Sequence, residues 1–376
     1  MRVPAAPRLE RGWLAACLAA LGRRQAPPAA PAALDWDALL AEAEAEDLLP
    51  ALASAAAAAP PAVRRRLGEA LTAARARHLV MTRALAAVLA RLEADAIPAL
   101  PLKGPALAET VYPDPALRPC GDLDILVRRE DRQRADAALL AGGHRRVADA
   151  HTWEFDIEYD GATLYAGPDG VHVDLHWALV TEPRYAWSGE AETAVWQRAA
   201  PLTLAGRRTL GLAREDLVLY LATHLAVHHA LAGLRRHWDV ALVLASGPLD
   251  WDALRARAGH WRARRALYFV LRGVEEAFGP LVPSAALAAL APRGPRAALL
   301  DALLRDAGAE RRVRLEHLVT LLLVDRGRDA CRALHEALLP PAAWLRARYG
   351  GGTASRPALY WAHARRLGGV LAGLRH

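Results

Sequence analysis

Lysine and asparagine are almost missing from this chain of 376 residues, and their absence affects how its charge is interpreted. Lys103 is the only lysine among 48 basic residues, asparagine does not occur, and isoleucine occurs only at 97, 125 and 157. Arginine stands at nearly every basic position, which is typical of very GC-rich coding and by itself indicates little about function. A single lysine in such a background is therefore a candidate functional residue.

Cysteines and long apolar runs are also scarce. Cys17, Cys120 and Cys331 have no paired spacing, so we expect neither a disulfide framework nor a cysteine zinc site, and we predict a reducing compartment. The longest run without a formal charge, residues 217–234, contains three histidines and a threonine, which favours a buried helix over a membrane span. The charges around residues 13–21 have the wrong order for a signal peptide. These features predict a soluble, cytoplasmic protein with no membrane partner.

The net charge of +7 is distributed unevenly along the chain. Residues 1–95 carry +2, residues 96–200 carry −7 and residues 201–376 carry +12. An acidic centre beside a basic segment suits a metal site that receives a polyanionic substrate steered by arginines. The other interpretation, which the sequence leaves open, is that the C-terminal arginines form solvated helix faces.

The same three segments define the predicted organisation, which is an α+β fold with an α/β-type core. We predict an N-terminal helical region over 1–95, a catalytic core over 96–200 and a helical domain over 201–376. A hydrophobic content of 53% is sufficient for a sizeable core in each. Within the catalytic core the predicted elements are a strand over 97–102, a helix over 105–111, a strand over 122–127, a helix over 130–141, a hairpin over 151–165 and a strand over 171–177.

Three aspartates of the central segment predict a metal site. Asp122 and Asp124 are two apart on one strand, so their side chains point the same way, about 7 Å apart. Asp174 lies within the strand predicted over 171–177, and pairing of the two strands would complete a three-carboxylate cluster. Such a cluster provides the oxygen ligands that Mg²⁺ prefers, and it suits two ions that clamp the oxygens of a phosphoryl displacement. Asp174 is also a candidate base for removing a proton from an acceptor hydroxyl.

The sequence Lys103-Gly104-Pro105 predicts a phosphate site at a strand–helix junction. Gly104 would let a phosphate approach the backbone, where the helix N-terminus presents unpaired N–H groups. Lys103 would add a compact positive charge on a triphosphate. Arg118, in the proline-rich loop before the aspartates, would add a fork of donors.

These motifs together resemble a known family. The run LKGPALAETVYPDPALRPCGDLDILV, a helix ending in AGGHRR, and then VHVDLHWAL are similar to the bacterial nucleotidyltransferase family of the DNA polymerase beta superfamily. The resemblance is closest to the branch with an L-K-G opening, a Y-P-x-P-x-x-R-x-x-x-D-x-D segment and a D-L-H-W strand. It continues through ARED, LATHLAVHHAL and HWDVALVL, and covers roughly residues 79–280.

The resemblance implies a minimal mixed sheet flanked by helices, with a helical domain closing a nucleotide cleft. It implies transfer of an NMP from an NTP, which we expect to be ATP, to an acceptor hydroxyl or phosphate with release of pyrophosphate. Asp122 and Asp124 would bind Mg²⁺ or Mn²⁺, and Asp174 would be the third carboxylate. The wider superfamily opens with Gly-Gly or Gly-Ser, whereas this chain and its branch have Lys-Gly, without a hydroxyl. The acceptor stays open between a small molecule, a peptide, a protein and RNA.

The histidines allow other interpretations. His172 and His176 share a strand face with Asp174, as in part of an iron site, but the two histidines would lie about 13 Å apart. His224 and His228 share a helix face, as zinc ligands would, although the glutamate base of a zinc protease is missing. Core histidines bonded to the backbone or to Asp239 are favoured.

In the functional interpretation, His176, His224 and Asp239 contact the nucleotide or the acceptor. Trp153 and Trp177 could stack on a base, but core packing is favoured for both.

Two function classes remain after this comparison. One is a Mg²⁺-dependent nucleotidyltransferase, and the other is a non-catalytic nucleotide- or partner-binding module on the same fold. The presence of all three carboxylates favours the enzyme. A D-x-D glycosyltransferase is disfavoured because its nucleotide-sugar domain usually needs a longer α/β segment ahead of the motif. A phosphotransferase is likewise a weaker alternative.

Overall fold

The chain forms an α+β fold in which helices flank a five-stranded mixed sheet. The computed structural model describes residues 9–57, 59–147, 161–179, 189–306, 315–340, 345–346, 349 and 355–373. The strands of the sheet are β1 (Ala99–Pro101), β2 (Asp122–Val127), β3 (Arg145–Arg146), β4 (Ala162–Ala166) and β5 (His172–His176). A separate hairpin consists of β6 (Ala200–Leu204) and β7 (Arg207–Gly211).

Helices make up most of the remaining described residues. Before the sheet lie α1 (Leu9–Gly22), α2 (Trp36–Ala45), α3 (Leu49–Ala53) and α4 (Pro61–Ala94). Among the strands lie α5 (Pro105–Thr110), α6 (Arg132–Ala141) and α7 (Gly189–Arg198), together with 3₁₀ turns over 115–117 and 129–131. After the hairpin come α8 (Arg214–His229), α9 (Leu234–Ala245), α10 (Trp251–His260), α11 (Arg264–Phe278), α12 (Ser284–Leu290), α13 (Pro295–Asp306), α14 (Glu316–Leu323), α15 (Gly327–Leu338) and α16 (Arg356–Gly373).

The strand order places β2 and β5 at adjacent positions in the sheet, which runs β1-β2-β5-β4-β3. These two strands are parallel, and the other pairs are antiparallel. In the parallel register Leu123 lies opposite Val173 and Ile125 lies opposite Leu175, and all four side chains are buried. Because strand side chains alternate, the residues between them project from the other face of the sheet.

Two apolar clusters hold the helices to the sheet. One lies under the sheet and joins strand residues such as Leu123 to Leu85 and Leu89 of α4 and to Leu139 of α6. The larger one joins the first helices to the helices after the hairpin, for example Leu14 of α1 with residues of α8, α9 and α11. The first segment therefore packs against both the sheet and the C-terminal helices. The domain boundaries at 95 and 200 stay predictions.

The elements predicted for the core agree with the structure, with shifted ends. The strand over 122–127 has the predicted bounds, while the strands predicted over 97–102 and 171–177 are shorter, at 99–101 and 172–176. The first arm of the predicted 151–165 hairpin, with Trp153, lies outside the described residues.

The hairpin of β6 and β7 is an element that the sequence did not predict. Its turn residues Ala205 and Gly206 have φ angles of 50° and 70°, as a two-residue type I′ turn requires. The usual signal for such a turn is Asn-Gly or Asp-Gly, and Ala-Gly gives no such indication.

No helix that the structure describes is both long and apolar enough to cross a membrane. The uncharged run over 217–234 instead spans α8 and the start of α9, and most of its apolar side chains are buried in the large cluster. All three cysteines are free.

Gly104 occupies a backbone conformation that favours glycine. Its φ of 55° and ψ of −124° lie outside the regions that residues with a side chain normally adopt. A Cβ at this position would lie 3.3 Å from the carbonyl oxygen of Asp122. The glycine therefore allows the segment after β1 to pass close to the start of β2.

We predict that Gly104→Ala lowers the free energy of unfolding by about 1–3 kcal/mol, the usual range for strain in a sparsely populated backbone region. The measurement is urea denaturation followed by circular dichroism. Gly121→Ala is the matched control, because Gly121 has an ordinary φ and no atom within 4 Å of the place where a Cβ would lie. A loss in Gly104→Ala no larger than in the control would contradict the strain at Gly104.

Candidate active site

The parallel pairing of β2 and β5 brings the predicted aspartates to one face of the sheet. Asp124 lies directly opposite Asp174, and Asp122 lies opposite His172. Asp124 is buried, Asp174 is half-buried, and Asp122 is exposed at the beginning of β2. The pKa of Asp122 is raised by partial burial and by the neighbouring Asp124 carboxylate.

A compact group of possible metal ligands consists of Asp124, Asp174 and His176. One ligand atom from each residue lies within 4.8 Å of the other two. Among the described residues this is the one group of three such side chains with this spacing. The sequence placed His176 at the nucleotide and Asp122 in the metal site, whereas this group contains His176 and leaves Asp122 beside it.

The imidazole of His176 is buried between the two carboxylates. Its Nε2 lies 3.1 Å from Oδ2 of Asp174 and 3.4 Å from Oδ1 of Asp124. Neither ring nitrogen has a hydrogen-bond partner with acceptable geometry among the described residues. Burial opposes the charged ring, but Asp174 and Asp124 raise the pKa of His176 to about 9. One ligand atom of each residue converges here, and the three would hold a divalent cation after the imidazole loses its proton, because a protonated ring has no lone pair for a metal.

Lys103, the only lysine, lies in this site. Its Nζ is 2.8 Å from Oδ1 of Asp124 and 2.9 Å from Nε2 of His224 on α8. Burial of Asp124 opposes its charged form, yet Lys103 and His176 hold its pKa well below the ordinary value. Burial and Lys103 together lower the pKa of His224, so a neutral ring accepts a hydrogen bond from the ammonium group. The expectation that His224 bonds to the backbone or to Asp239 is therefore wrong, because its partner is Lys103.

Arg118 and Asp239 form a buried ion pair. Nε and Nη2 of Arg118 donate to the two carboxylate oxygens of Asp239 at 2.8 and 3.0 Å, and both side chains are 5% exposed. Tyr112 donates its hydroxyl to the same carboxylate at 2.6 Å and packs edge-on against Trp238. Arg118, which the sequence predicted would bind a triphosphate, thus binds Asp239. The ion pair connects the loop before β2 to α9.

A cleft of about 890 Å³ lies above the metal-ligand group and the Arg118–Asp239 pair. All three segments of the chain contribute residues to it. The N-terminal helical region contributes Asp47 and Arg77, and the C-terminal helices contribute Tyr220, three histidines and two arginines. Arg77 donates to the carbonyl oxygens of Cys120 and Gly121 at 3.3 and 3.0 Å. This helix residue therefore supports the loop that leads into Asp122.

The residues of the cleft differ in how far their local sequence indicates a functional role. Arg77 lies within α4 and Asp47 in the turn after α2, both without a motif, and nothing in the local sequence distinguishes them. Arg235 and Arg236 follow the uncharged histidine-rich run directly, and this abrupt change of charge was a usable signal. Trp177 is 1% exposed and does not line the cleft, as the interpretation of core packing predicts.

The other metal interpretations have less support from the structure. His224 and His228 do share a helix face, with ring centroids 4.9 Å apart, but neither belongs to the metal-ligand group found among the described residues. His172 is exposed, and only His176 of the two strand histidines joins that group.

Comparison with protein families agrees with this geometry. A family model described as an uncharacterised nucleotidyltransferase matches residues 32–279. The match covers more than half of the chain, so this protein belongs to that family. It begins well before residue 79, where the motif resemblance begins, and so includes Asp47 and Arg77 of the cleft. A search of curated proteins gave no match.

We predict that Arg118→Ala destabilises the protein by about 3–5 kcal/mol, because removing one partner leaves the Asp239 carboxylate buried without its cation. Chemical denaturation measures the change. The double variant Arg118→Met, Asp239→Leu should recover much of the loss, since neither charge then remains buried.

The control for this experiment is Arg255→Ala, which removes an ion pair with Asp252 whose side chains are 47% and 93% exposed. Its effect should stay below about 1 kcal/mol. Equal effects of Arg118→Ala and Arg255→Ala would show that the buried pair does not stabilise the junction between the loop and α9.

Proposed function

We propose that this protein is a metal-dependent nucleotidyltransferase of the bacterial branch of the DNA polymerase beta superfamily. It transfers an NMP from an NTP, with ATP as the first candidate, to a hydroxyl or phosphate of an acceptor and releases pyrophosphate. The observation that carries this proposal is the convergence of Asp124, Asp174 and His176 on adjacent strands at the cleft. The family match supports nucleotidyl transfer.

Asp122, Asp124 and Asp174 are the proposed ligands for Mg²⁺ or Mn²⁺, with His176 as a further donor. A divalent ion bound there would neutralise developing charge on the phosphate oxygens and help to orient the reacting groups. Carboxylates suit Mg²⁺ and Mn²⁺ alike, whereas an imidazole nitrogen is a ligand that Mg²⁺ rarely takes. Coordination by His176 would therefore favour Mn²⁺ over Mg²⁺.

The chain's own residues account for the proton and for orientation. In the proposed reaction the acceptor oxygen forms a bond to the α-phosphorus, the bond from that phosphorus to the bridging oxygen breaks, and pyrophosphate leaves. Asp174, half-buried at the cleft, takes the proton when the acceptor is a hydroxyl. Lys103 holds the Asp124 carboxylate in its charged form and in a fixed position.

The second candidate is a non-catalytic module that binds a nucleotide on the same fold. No observation in the described residues favours it over the enzyme, because Asp122 and Asp124 of β2 and Asp174 of β5 are all present and line the cleft. Metal dependence separates the two candidates.

We predict that Asp174→Asn lowers the rate of NMP transfer at least about 100-fold, because it removes a charged ligand and the candidate base. The assay follows label from α-³²P-labelled NTPs into the acceptors of a cell extract, with each of the four NTPs in turn. Glu130→Gln is the control, since Glu130 is 71% exposed and lies outside the cleft. Full transfer by Asp174→Asn would refute the assigned role.

We also predict that ATP raises the melting temperature only when Mg²⁺ or Mn²⁺ is present. Ligand at about 100 times its Kd stabilises the folded state by roughly 2.7 kcal/mol, which a thermal shift assay detects. Asp124→Asn should abolish the metal-dependent shift. A shift of equal size in EDTA would instead support the non-catalytic module.

A further inference from the structure

Most cations of the cleft already have a partner within the protein. Lys103 contacts Asp124 and His224, Arg118 is bound by both oxygens of Asp239, and Arg77 donates to two backbone carbonyls. These three side chains therefore hold the site together. A triphosphate carries several negative charges, and it needs cations that are not already neutralised.

Arg235 and Arg236 are the remaining arginines that line the cleft among the described residues. Arg236 forms no ion pair within 4 Å there, and burial and its neighbour Arg235 both lower its pKa. Arg235 is 12% exposed and pairs only with Asp47, at 3.4 Å, whose own side chain is 62% exposed. Its Nε is buried without a hydrogen-bond partner. Glu46, Asp47 and Asp239 also act on Arg236, but at longer range than an ion pair, so neither arginine is bound to a buried carboxylate of its own.

The backbone before these arginines is shaped to present them. Ala230, Leu231 and Gly233 have φ angles of 47°, 60° and 107°, so three of four residues between α8 and α9 adopt the left-handed side of conformational space. Ala230 is the left-handed residue that ends α8, and Leu231 and Gly233 continue this tight turn into α9. The turn places Arg235 and Arg236 in the first turn of α9.

The start of α9 adds further donors in the same place. This helix has 12 residues, its N-cap residue Gly233 offers no side-chain hydrogen bond, and its first turn contains no acidic residue. The first N–H groups of a helix carry partial positive charge and bind anions when no side chain caps them. One carboxylate does approach this end of the helix: Oε2 of Glu46 would lie 3.3 Å from a Cβ at Gly233, while its Oε1 lies 3.6 Å from Arg11.

We propose that Arg235 and Arg236, with the first turn of α9, form the site for the β- and γ-phosphates of the NTP and for the pyrophosphate that leaves. This assignment rests on the proposed function for the identity of its ligand. It moves the triphosphate contact from the Lys103-Gly104 turn and Arg118 to the helices after the hairpin. The turn at Gly104 begins a helix of only six residues, and Gly104 itself is required by its backbone conformation.

The test uses inorganic tripolyphosphate, which has no nucleoside and in EDTA has no metal. Calorimetric titration at low salt should show binding to the full-length protein. The double variant Arg235→Gln, Arg236→Gln should bind at least about tenfold more weakly, since it loses two charge-assisted contacts. Circular dichroism and the melting temperature establish that the variant is folded.

The chain contains a matched control in Arg207 and Arg208, two consecutive arginines that are exposed on β7 and do not line the cleft. Arg207→Gln, Arg208→Gln makes the same change of charge and should bind tripolyphosphate as the unaltered protein does. Unaltered affinity in the Arg235, Arg236 variant, equal losses in the two variants, or no binding by the unaltered protein would overturn the assignment.

Failure of this assignment can be distinguished from failure of the proposed function. If NMP transfer occurs and the Arg235, Arg236 variant keeps its KM for the NTP, the phosphate site is wrong and the enzyme assignment stands. If no NTP is turned over but tripolyphosphate binding depends on these arginines, the assignment of the phosphate site is supported and the proposed enzyme activity is refuted. A rise in KM together with the loss of tripolyphosphate binding supports both.

Discussion

The buried ion pair between Arg118 and Asp239 is the interaction on which the geometry of the cleft depends. It joins the loop before β2 to α9, and Tyr112 and Trp238 complete the contact with a hydroxyl donor and an aromatic face. A buried carboxylate needs such partners because desolvation otherwise disfavours its charge. The Y-P-x-P-x-x-R and W-D motifs, far apart in sequence, are therefore the two halves of one contact. That contact fixes the sheet and the helices on opposite sides of the same cleft.

The two sides of the cleft carry opposite charges, and the protein's own residues neutralise each side only in part. On the sheet side, Asp122, Asp124 and Asp174 are partly neutralised by Lys103 and His176. On the helix side, the exposed Asp47 is the close partner of Arg235, and Arg236 forms no ion pair within 4 Å among the described residues. A cation at the carboxylates and a polyanion at the arginines would neutralise the remaining charge on both sides. A metal-bound triphosphate supplies the cation and the polyanion together. The lysine among 47 arginines lies where the two sides meet.

The sequence predicted much of the sheet side, because strand periodicity determines which side chains share a face. Asp122 and Asp124, the strand over 122–127 and the place of Asp174 beside it follow from alternation and motif. It did not predict the role of Arg118, since a guanidinium fork suits a carboxylate as well as a phosphate and only the fold places Asp239 within reach. It also missed Arg77 of α4 and Asp47 in the turn after α2, because no local signal marks either residue.

Local sequence thus determined the elements, the acidic strand face and the family resemblance, all of which depend on residues close together in the chain. The tertiary structure decided which charges meet. Lys103 and His224 are 121 residues apart, as are Arg118 and Asp239, and no local pattern relates residues at that separation. The most compact ligand group also contains His176 and not Asp122, since Asp124 lies opposite Asp174 while Asp122 lies at the exposed start of β2, opposite His172. Which cations stay available for a substrate follows only after these pairs have formed.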